Sequence, residues 1–235
     1  MDIPVLITGA SQRLGLAIAK DLLSQSVPVI ITYRTPKPAV EELEATGATT
    51  IQADFSTPQG IDRAIDQILS VSPALRAIIH NASDWESESE HTDYQQLMTR
   101  MMQVHAVAPY RMNLALSGLL TKQPGPADII HMTDYVQDTG SDKHIAYAAS
   151  KAALHNLTLS FAKKLAPKVK VNSIAPALLM FNEGDSDAYR QKAINKSLLE
   201  TVPGAAEAVK AVNYLLSSEY MTGQTLHLDG GRLLK

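Results

Sequence analysis

Residues 6–15 read Leu6-Ile7-Thr8-Gly9-Ala10-Ser11-Gln12-Arg13-Leu14-Gly15 and join a strand-like apolar run to a segment with helical periodicity. Gly9 lies where the chain must turn tightly, and Gly15 lies where a helix must pack closely on the strand. Such a turn leaves backbone N–H groups at the start of the helix free to bind an anion. The stretch therefore predicts a phosphate-binding loop, whose contacts we expect to come from Thr8, Gly9, Ser11, Arg13, Leu14 and Gly15.

Strand-like and helix-like patterns alternate along the rest of the chain. Short apolar runs, most with β-branched residues, occur at 3–8, 27–33, 48–53, 75–80, 128–132, 169–174 and 225–228. Helical periodicity lies between them at 12–25, 38–46, 58–71, 92–121, 145–166 and 204–217. This alternation predicts an α/β fold, a single doubly wound parallel sheet flanked by helices, in one domain spanning 1–235. The irregular stretch 175–200 could be a substrate lid or an inert surface loop.

Composition narrows the classes of function. The chain has 235 residues and a formal net charge of −3, and weak acidity argues against nucleic-acid binding, which needs Lys and Arg to neutralise phosphates. It has no cysteine, which excludes disulfides, thiolate metal sites and cysteine nucleophiles and suits a reducing compartment. We predict no metal site. Since no run approaches the ~18 apolar residues of a membrane span and the N-terminus enters a strand directly, we expect a cytoplasmic protein without a membrane partner.

Residues at the ends of the next three strands favour a dinucleotide that carries a 2′-phosphate. Tyr33-Arg34-Thr35 ends the second strand, and arginine there suits a 2′-phosphate, whereas a free ribose hydroxyl usually meets Asp or Glu. Asp54 and Phe55 follow the third strand and could hold the edge and the face of an adenine, although an aspartate that leads a helix is equally ordinary. Asn81-Ala82-Ser83 follows the fourth strand and would line the crevice. Together these positions predict NADP rather than NAD.

Tyr147 and Lys151 are four residues apart in a helical pattern, so their side chains share one face of the helix. An ammonium beside a phenol favours the phenolate and lowers the phenol pKa. The tyrosine would then be a usable acid for an oxygen or imine nitrogen whose carbon accepts hydride. An amphipathic helix with a surface lysine would show the same spacing. Small neighbours, which allow a large ligand to approach, strengthen the catalytic interpretation: Ala146, Ala148, Ala149 and Ser150.

Taken together, these motifs resemble the short-chain dehydrogenase/reductase family. The matching pieces follow the family's order along the chain: Thr8-Gly9…Gly15, Asp54, Asn81-Ala82, Tyr147-x-x-x-Lys151, Val171-Asn172…Pro176 and Asp229-Gly230-Gly231. The resemblance implies a Rossmann-type sheet that binds NADP(H), with Lys151 on the nicotinamide ribose and Tyr147 as the acid. It also implies a homotetramer, and cofactor contacts from Pro176, Ala177 and Leu178.

Three departures from the common family pattern make the chain similar to members of the pteridine reductase branch. Arg13 replaces the middle glycine of the phosphate loop, Asp134 replaces the usual serine thirteen residues before Tyr147, and Trp85 follows the fourth strand. Segments 33–35, 52–57, 131–136, 140–154 and 171–176 closely resemble bacterial members of that branch. The resemblance implies NADPH-dependent reduction of 7,8-dihydromonapterin to tetrahydromonapterin, with slower reduction of dihydrofolate. Hydride would go to C6 of the pterin, and the proton on N5 could come from Tyr147, Asp134 or a water.

The same resemblance places five residues around the substrate: Arg13, Ser83, Trp85, Asp134 and Tyr147. A carboxylate at Asp134 would repel a developing alkoxide but can accept hydrogen bonds from the amino and ring N–H groups of a pterin. Trp85 would stack on the pterin, and the alternative is a loop residue packed on the surface. His105 stands where many family members carry an asparagine, so a proton relay through that asparagine is not expected here. A lone histidine is more often a core residue than a functional one.

Two other functions fit parts of the pattern. One is a carbonyl reductase of the 3-oxoacyl type, which a serine in place of Asp134 would favour. The other is a catalytically idle NADP-binding sensor, which would need the phosphate loop and Arg34 but not the Tyr147–Lys151 pair. Because that pair is present, we expect an enzyme.

Overall fold

The computed structural model describes residues 3–89 and 92–235, and its centre is a sheet of seven parallel strands. The order across the sheet is β3-β2-β1-β4-β5-β6-β7, so the predicted doubly wound sheet is confirmed. The strands are β1 (Val5–Ile7), β2 (Val29–Tyr33), β3 (Thr49–Gln52), β4 (Ala77–His80), β5 (Ala127–Met132), β6 (Val169–Pro176) and β7 (Thr225–Leu228).

Helices connect successive strands and cover both faces of the sheet. In the described part of the chain they are α1 (Arg13–Ser24), α2 (Pro38–Ala45), α3 (Pro58–Val71), α4 (Tyr94–Met102), α5 (Ala108–Leu120), α6 (Val136–Thr139), α7 (Ile145–Leu165), α8 (Asp187–Ile194) and α9 (Ala206–Ser217). A π-helical segment, Gln103–Val107, joins α4 to α5, and a 3₁₀ turn, Arg232–Leu234, follows β7. Within the described ranges, no helix is both long enough and apolar enough to span a bilayer.

Alternate residues of each strand enter two separate cores because both faces of the sheet are covered. Leu6 of β1 packs into the core beneath α3, α5 and α7, whereas Val5 and Ile7 pack into the core beneath α1, α2 and α9. This two-sided burial explains why the strands read as continuous apolar runs in the sequence.

The topology places one crevice at the carboxyl end of β1. Val5 pairs with Val29 of β2 on one side and with Ala77 of β4 on the other, so β1 lies between the two halves of the sheet. The chain winds outward through β2 and β3, then crosses back to β4 and winds the other way. Ligands of doubly wound sheets bind at the carboxyl ends of the strands flanking this reversal, and the loops that follow β1, β2 and β4 meet there.

Two elements differ from the sequence-based expectation. The single helix predicted over 92–121 is interrupted by the π-helical segment. The stretch 175–200 contains α8, which the hydrophobic pattern does not reveal because Ala193 is its one buried residue. Its start is marked instead by Ser186, whose hydroxyl accepts a hydrogen bond from the Tyr189 amide.

Candidate active site

The phosphate loop is tied to the end of β4 by a compact hydrogen-bond network. The buried Thr8 hydroxyl accepts hydrogen bonds from the amides of Asn81 and Ala82, each at 3.0 Å. The Asn81 side-chain amide donates to the carbonyls of Thr8 and Gly9, at 3.0 and 2.9 Å. The predicted cofactor residues at the ends of β1 and β4 are therefore in direct contact, and they fix the shape of the crevice between them.

The loop has the close approaches that a dinucleotide site requires. Gly9 has a φ of +66°, and a Cβ there would lie 2.7 Å from the Ala82 Cα. A Cβ at Gly15 would lie 2.4 Å from the Asn81 side-chain nitrogen. The residue before α1, Gln12, makes no side-chain hydrogen bond to the first turn, so the amides of that turn remain available for an anion. The residues present thus fit a pyrophosphate.

Arg34 lies at the end of β2, as predicted, and reaches across the crevice. Its guanidinium forms an ion pair of 3.2 Å with Asp84, which follows β4. Because β1 lies between β2 and β4, this ion pair passes over the carboxyl end of β1. Lys37 also faces the phosphate loop, where its ammonium donates to the Gln12 side chain. Two cations therefore stand at the site proposed for a 2′-phosphate.

The end of β3 requires one correction. The Phe55 side chain is only 6% exposed and packs in the hydrophobic core, so the expectation that its ring flanks an adenine is wrong. A buried aromatic after β3 extends the core of the sheet rather than the crevice. Asp54 accepts a hydrogen bond from the Ser56 amide at 3.0 Å. Burial pushes the pKa of Asp54 upward, but hydrogen bonds from Ser56 and the charge of Arg34 outweigh it and leave this pKa below its ordinary value.

Asp134 and Tyr147 form the centre of the site. The Tyr147 hydroxyl donates a hydrogen bond to the Asp134 carboxylate at 2.9 Å, and the other Asp134 oxygen accepts from the Val136 amide at 3.1 Å. Burial raises the pKa of both groups, and for Tyr147 the negative charge of Asp134 raises it further. The sequence argument expected Lys151 to lower the Tyr147 pKa, and that expectation is wrong here because burial and the Asp134 carboxylate raise this pKa.

Lys151 lies beneath Tyr147, on the same face of α7. It is 2% exposed, its ammonium lies 5.5 Å from the centroid of the Tyr147 ring, and it donates to the Met132 carbonyl at 2.8 Å. Burial lowers the Lys151 pKa to about 8, although the charge of Asp134 acts in the opposite direction. Lysine, tyrosine and aspartate therefore form one coupled group of titrating residues.

The loop after β4 carries Trp85 to the mouth of the site. Trp85 is 64% exposed, and its ring meets the ring of His144 edge to face, with the centroids 4.8 Å apart. The Glu88 carboxylate accepts from the amides of Ile145 and Ala146 and so caps the start of α7. These contacts hold the loop against the helix that carries Tyr147. The sequence analysis did not identify this role of Glu88.

Arg13 connects the phosphate loop to the segment 178–200. Its guanidinium donates to the Met180 carbonyl at 3.0 Å and to the Asn182 side chain at 2.8 Å. Arg13 has a φ of +52°, an uncommon conformation for a residue with a side chain. Arginine at this position thus holds the predicted lid against the loop.

A cavity of about 280 Å³ is lined in part by the predicted cofactor contacts Ala177 and Leu178. It continues between α8 and the turn after β7, where Arg232 is one of its lining residues. The Arg232 guanidinium lies 4.3 Å from the centroid of the Tyr135 ring. The positive charge of Arg232 also acts on Asp134. Arg232 therefore connects the lining of this cavity with the surroundings of Asp134.

Comparison with known proteins places the chain in a family. The family model described as enoyl-(acyl carrier protein) reductase matches residues 9–232, and the chain belongs to the short-chain dehydrogenase/reductase family. The dihydromonapterin reductase of Klebsiella pneumoniae subsp. pneumoniae is 54% identical over 233 residues, which cover 99% of this chain and 97% of that protein. The dihydromonapterin reductase of an Enterobacter species is 55% identical over 232 residues, covering 98% and 97%.

A solved structure agrees with these relatives. The crystal structure of FolM alternative dihydrofolate reductase 1 from Brucella canis, complexed with NADP, superimposes with a TM-score of 0.89. Its sequence is 27% identical, and the match covers 99% of this chain and 94% of that one. The family and the fold expected from the sequence motifs are therefore confirmed.

Proposed function

We propose that this protein is an NADPH-dependent reductase of dihydropterins that converts 7,8-dihydromonapterin to tetrahydromonapterin and reduces dihydrofolate more slowly. The hydrogen bond from Tyr147 to Asp134, where related reductases usually carry a serine, is the observation that carries the proposal. The names of the relatives and of the structural neighbour support the same substrate class.

The reaction reduces the C6=N5 double bond of the pterin, and it needs a hydride at C6 and a proton at N5. NADPH, when bound, would supply the hydride. Tyr147 and Asp134 supply the proton as a pair, because the Tyr147 hydroxyl donates a hydrogen bond to the Asp134 carboxylate and the pKa of each group is raised. Lys151 lies beneath the pair, and its ammonium compensates the negative charge that remains when the proton leaves.

Asp134 also explains the preference for a pterin over a ketone. Reduction of a ketone builds negative charge on oxygen, which a carboxylate destabilises and a serine hydroxyl stabilises. A pterin instead offers amino and ring N–H groups, from which a carboxylate can accept hydrogen bonds. Trp85, exposed at the mouth of the site, would stack on the pterin ring, a contact worth about 0.5–1.5 kcal/mol beyond area burial.

The remaining roles concern the cofactor. Arg34 would exchange its partner Asp84 for the 2′-phosphate, and the amides near Ser11, Arg13 and Leu14 would hold the pyrophosphate. Lys151 would bind the nicotinamide ribose. Contacts from Asn81-Ala82-Ser83 and from Pro176, Ala177 and Leu178 would complete the site, with Asp54 on the adenine edge.

The proposal extends to assembly and location. β7 is an edge strand, and α5 exposes Tyr110 and Leu114, so both surfaces are available for contact with further copies of the chain. They support a homotetramer. We place the enzyme in the cytoplasm, because a chain without cysteine suits a reducing compartment.

The test is oxidation of NADPH by the purified protein with four substrates: dihydromonapterin, dihydrobiopterin, dihydrofolate and an acetoacetyl thioester. We expect fast oxidation with the dihydropterins, slower oxidation with dihydrofolate and none with the thioester. Activity on the thioester alone would replace the proposal with a 3-oxoacyl reductase. Binding of NADPH without activity on any of the four would favour a sensor.

A further inference from the structure

His105 is buried behind the catalytic centre, in a segment of unusual geometry. It lies in the middle of the π-helical segment between α4 and α5 and is 1% exposed. Single π-helical turns inside α-helices occur frequently at functional sites. The segment places the imidazole between the loop that follows β4 and the helix that carries Tyr147.

Each ring nitrogen of His105 has a partner on a different element. Nε2 accepts a hydrogen bond from the Asp84 amide at 3.2 Å, and the Ser83 hydroxyl lies 2.9 Å from the same nitrogen. Because an amide can only donate, Nε2 carries no proton, and Nδ1 must be the protonated nitrogen of the neutral ring. Nδ1 therefore donates to the Ser150 hydroxyl, at 2.8 Å.

The Ser150 hydroxyl extends this connection to Tyr147. It donates to the Tyr147 carbonyl at 2.7 Å, so hydrogen bonds run without a break from Asp84 through His105 and Ser150 to the backbone of Tyr147. The His105 ring also meets the Tyr147 ring edge to face, with the centroids 5.4 Å apart. Burial and the charge of Lys151 keep the His105 pKa well below its ordinary value. The imidazole is thus neutral near pH 7 and does not itself supply a proton.

Building on the proposed function, we propose that His105 is a positioning residue: through hydrogen bonds to both sides it holds Tyr147 and the Ser83–Trp85 turn at a fixed separation. The proposed proton donor lies on α7, and the proposed stacking ring lies on the loop that follows β4. A shift of either relative to the other would misalign the bound pterin, whereas the phosphate loop is held by its own hydrogen bonds to Asn81 and Ala82.

The chain offers a matched control on the same helix. Thr158 resembles Ser150 in being fully buried on α7, and its hydroxyl lies 2.8 Å from Nδ1 of another buried histidine, His131. The Thr158 hydroxyl also donates to a carbonyl one turn earlier, that of Leu154. Thr158→Val and Ser150→Ala each remove one buried hydroxyl that is hydrogen-bonded to a histidine. Only Ser150 connects its histidine to Tyr147.

The first measurement is steady-state kinetics with dihydromonapterin. We expect His105→Leu and Ser150→Ala to lower kcat about tenfold to a hundredfold, the loss typical of a misplaced catalytic group, with the KM for NADPH nearly unchanged. His105→Gln retains a donor and an acceptor and should recover part of the loss. The double variant should be little worse than His105→Leu alone because both changes break one connection. Thr158→Val should keep the kcat of the wild type.

The second measurement needs neither substrate nor cofactor. Trp85 is the single tryptophan of the chain, so its fluorescence anisotropy reports on the loop that Asp84 ties to His105. We expect the anisotropy to fall in His105→Leu and to stay unchanged in Thr158→Val, with urea unfolding used to verify that each variant is folded. If His105→Leu does not fold, Ser150→Ala and His105→Gln carry the kinetic test.

The outcomes separate the two proposals. A wild-type protein that reduces no dihydropterin would overturn the proposed function, whatever the anisotropy shows. Normal kcat in His105→Leu and Ser150→Ala, in a wild type that is active, would overturn the positioning role alone. Equal losses in Ser150→Ala and Thr158→Val would also overturn it, since they would reflect a general effect of disturbing α7.

Discussion

The hydroxyl of Tyr147 donates to the carboxylate of Asp134 at 2.9 Å, so the proton donor of the site is already hydrogen-bonded to a base in the free protein. Lys151, on the next turn of α7, lies 5.5 Å from the centroid of the Tyr147 ring. An acid held between a carboxylate and an ammonium keeps its proton at neutral pH and can release it when negative charge develops on a nearby nitrogen.

Removing the phenol should therefore stop proton transfer without disturbing the cofactor. We expect Tyr147→Phe to lower kcat for dihydromonapterin by about 10²–10⁴-fold, the usual contribution of a general acid. The dissociation constant for NADPH, measured by fluorescence titration, should stay close to that of the wild type. Near-normal turnover would show that another group protonates N5.

Arg34 should decide between the two nicotinamide cofactors. We expect Arg34→Ala to weaken NADPH binding about tenfold to a hundredfold, because a charge-assisted hydrogen bond to phosphate is lost, and to affect NADH much less. Arg111→Ala removes a surface arginine that pairs with Asp62 on α3, and it serves as the control. Equal losses for NADPH and NADH would exclude Arg34 as the residue that recognises the 2′-phosphate.

The lowered pKa of Lys151 predicts an alkaline limit to activity. Below its pKa of about 8 the group is an ammonium and can fulfil its proposed roles, and above it the charge is lost. We therefore expect kcat/KM for NADPH, which reports the free enzyme, to fall as the pH rises through about 8. A profile that stays level well above this pH would mean that Lys151 remains charged or that its charge is not needed.

Buried histidines behind the site should make the protein sensitive to acid. Burial lowers the His80 pKa from 6.5 to about 4, although a hydrogen bond to Asn113 acts in the opposite direction. Because the unfolded chain binds this proton more readily, the stability that neutral His80 contributes to the folded protein is present above pH 6.5. It is lost as the pH falls through about 4. The shift in the His80 pKa corresponds to roughly 3 kcal/mol in the free energy of unfolding.

Urea unfolding at several pH values can measure this effect. We expect His80→Gln to flatten the dependence of the unfolding free energy on pH between 6.5 and about 4, relative to the wild type. The same slope in both proteins would assign the sensitivity to acid to other groups.

The sheet and the crevice were predictable because they follow from local patterns. Unbroken apolar runs mark strands covered on both faces, and the glycines at 9 and 15 mark the turn where β1 meets α1. The choice of Tyr147 followed from its spacing to Lys151 and that of Asp134 from the family resemblance, and the structure brings the two into contact. That residues 1–235 form one domain, with a substrate lid near 175–200, stays a prediction.

The remaining features depend on contacts between distant parts of the chain. The sequence argument counted Lys151 beside Tyr147 but neither the burial of the phenol nor the charge of Asp134 beside it, and therefore predicted the wrong direction for the Tyr147 pKa. The sequence argument placed the Phe55 ring in the crevice, but an aromatic residue that follows a strand can equally pack in the core, as Phe55 does. Arg34 pairs with a residue 50 positions away, and His105 reaches partners 21 to 45 positions away, so no local pattern reveals either connection.

Assays of the wild type and Asp134→Ser, each with dihydromonapterin and with an acetoacetyl thioester, test the central claim most directly. The account predicts that the wild type reduces only the pterin and that Asp134→Ser loses at least about tenfold in kcat/KM for it, as expected when a charge-assisted hydrogen bond to substrate is removed. NADPH binding should be retained in the variant. Unchanged pterin kinetics in Asp134→Ser would contradict the role of the carboxylate in selecting and protonating a pterin.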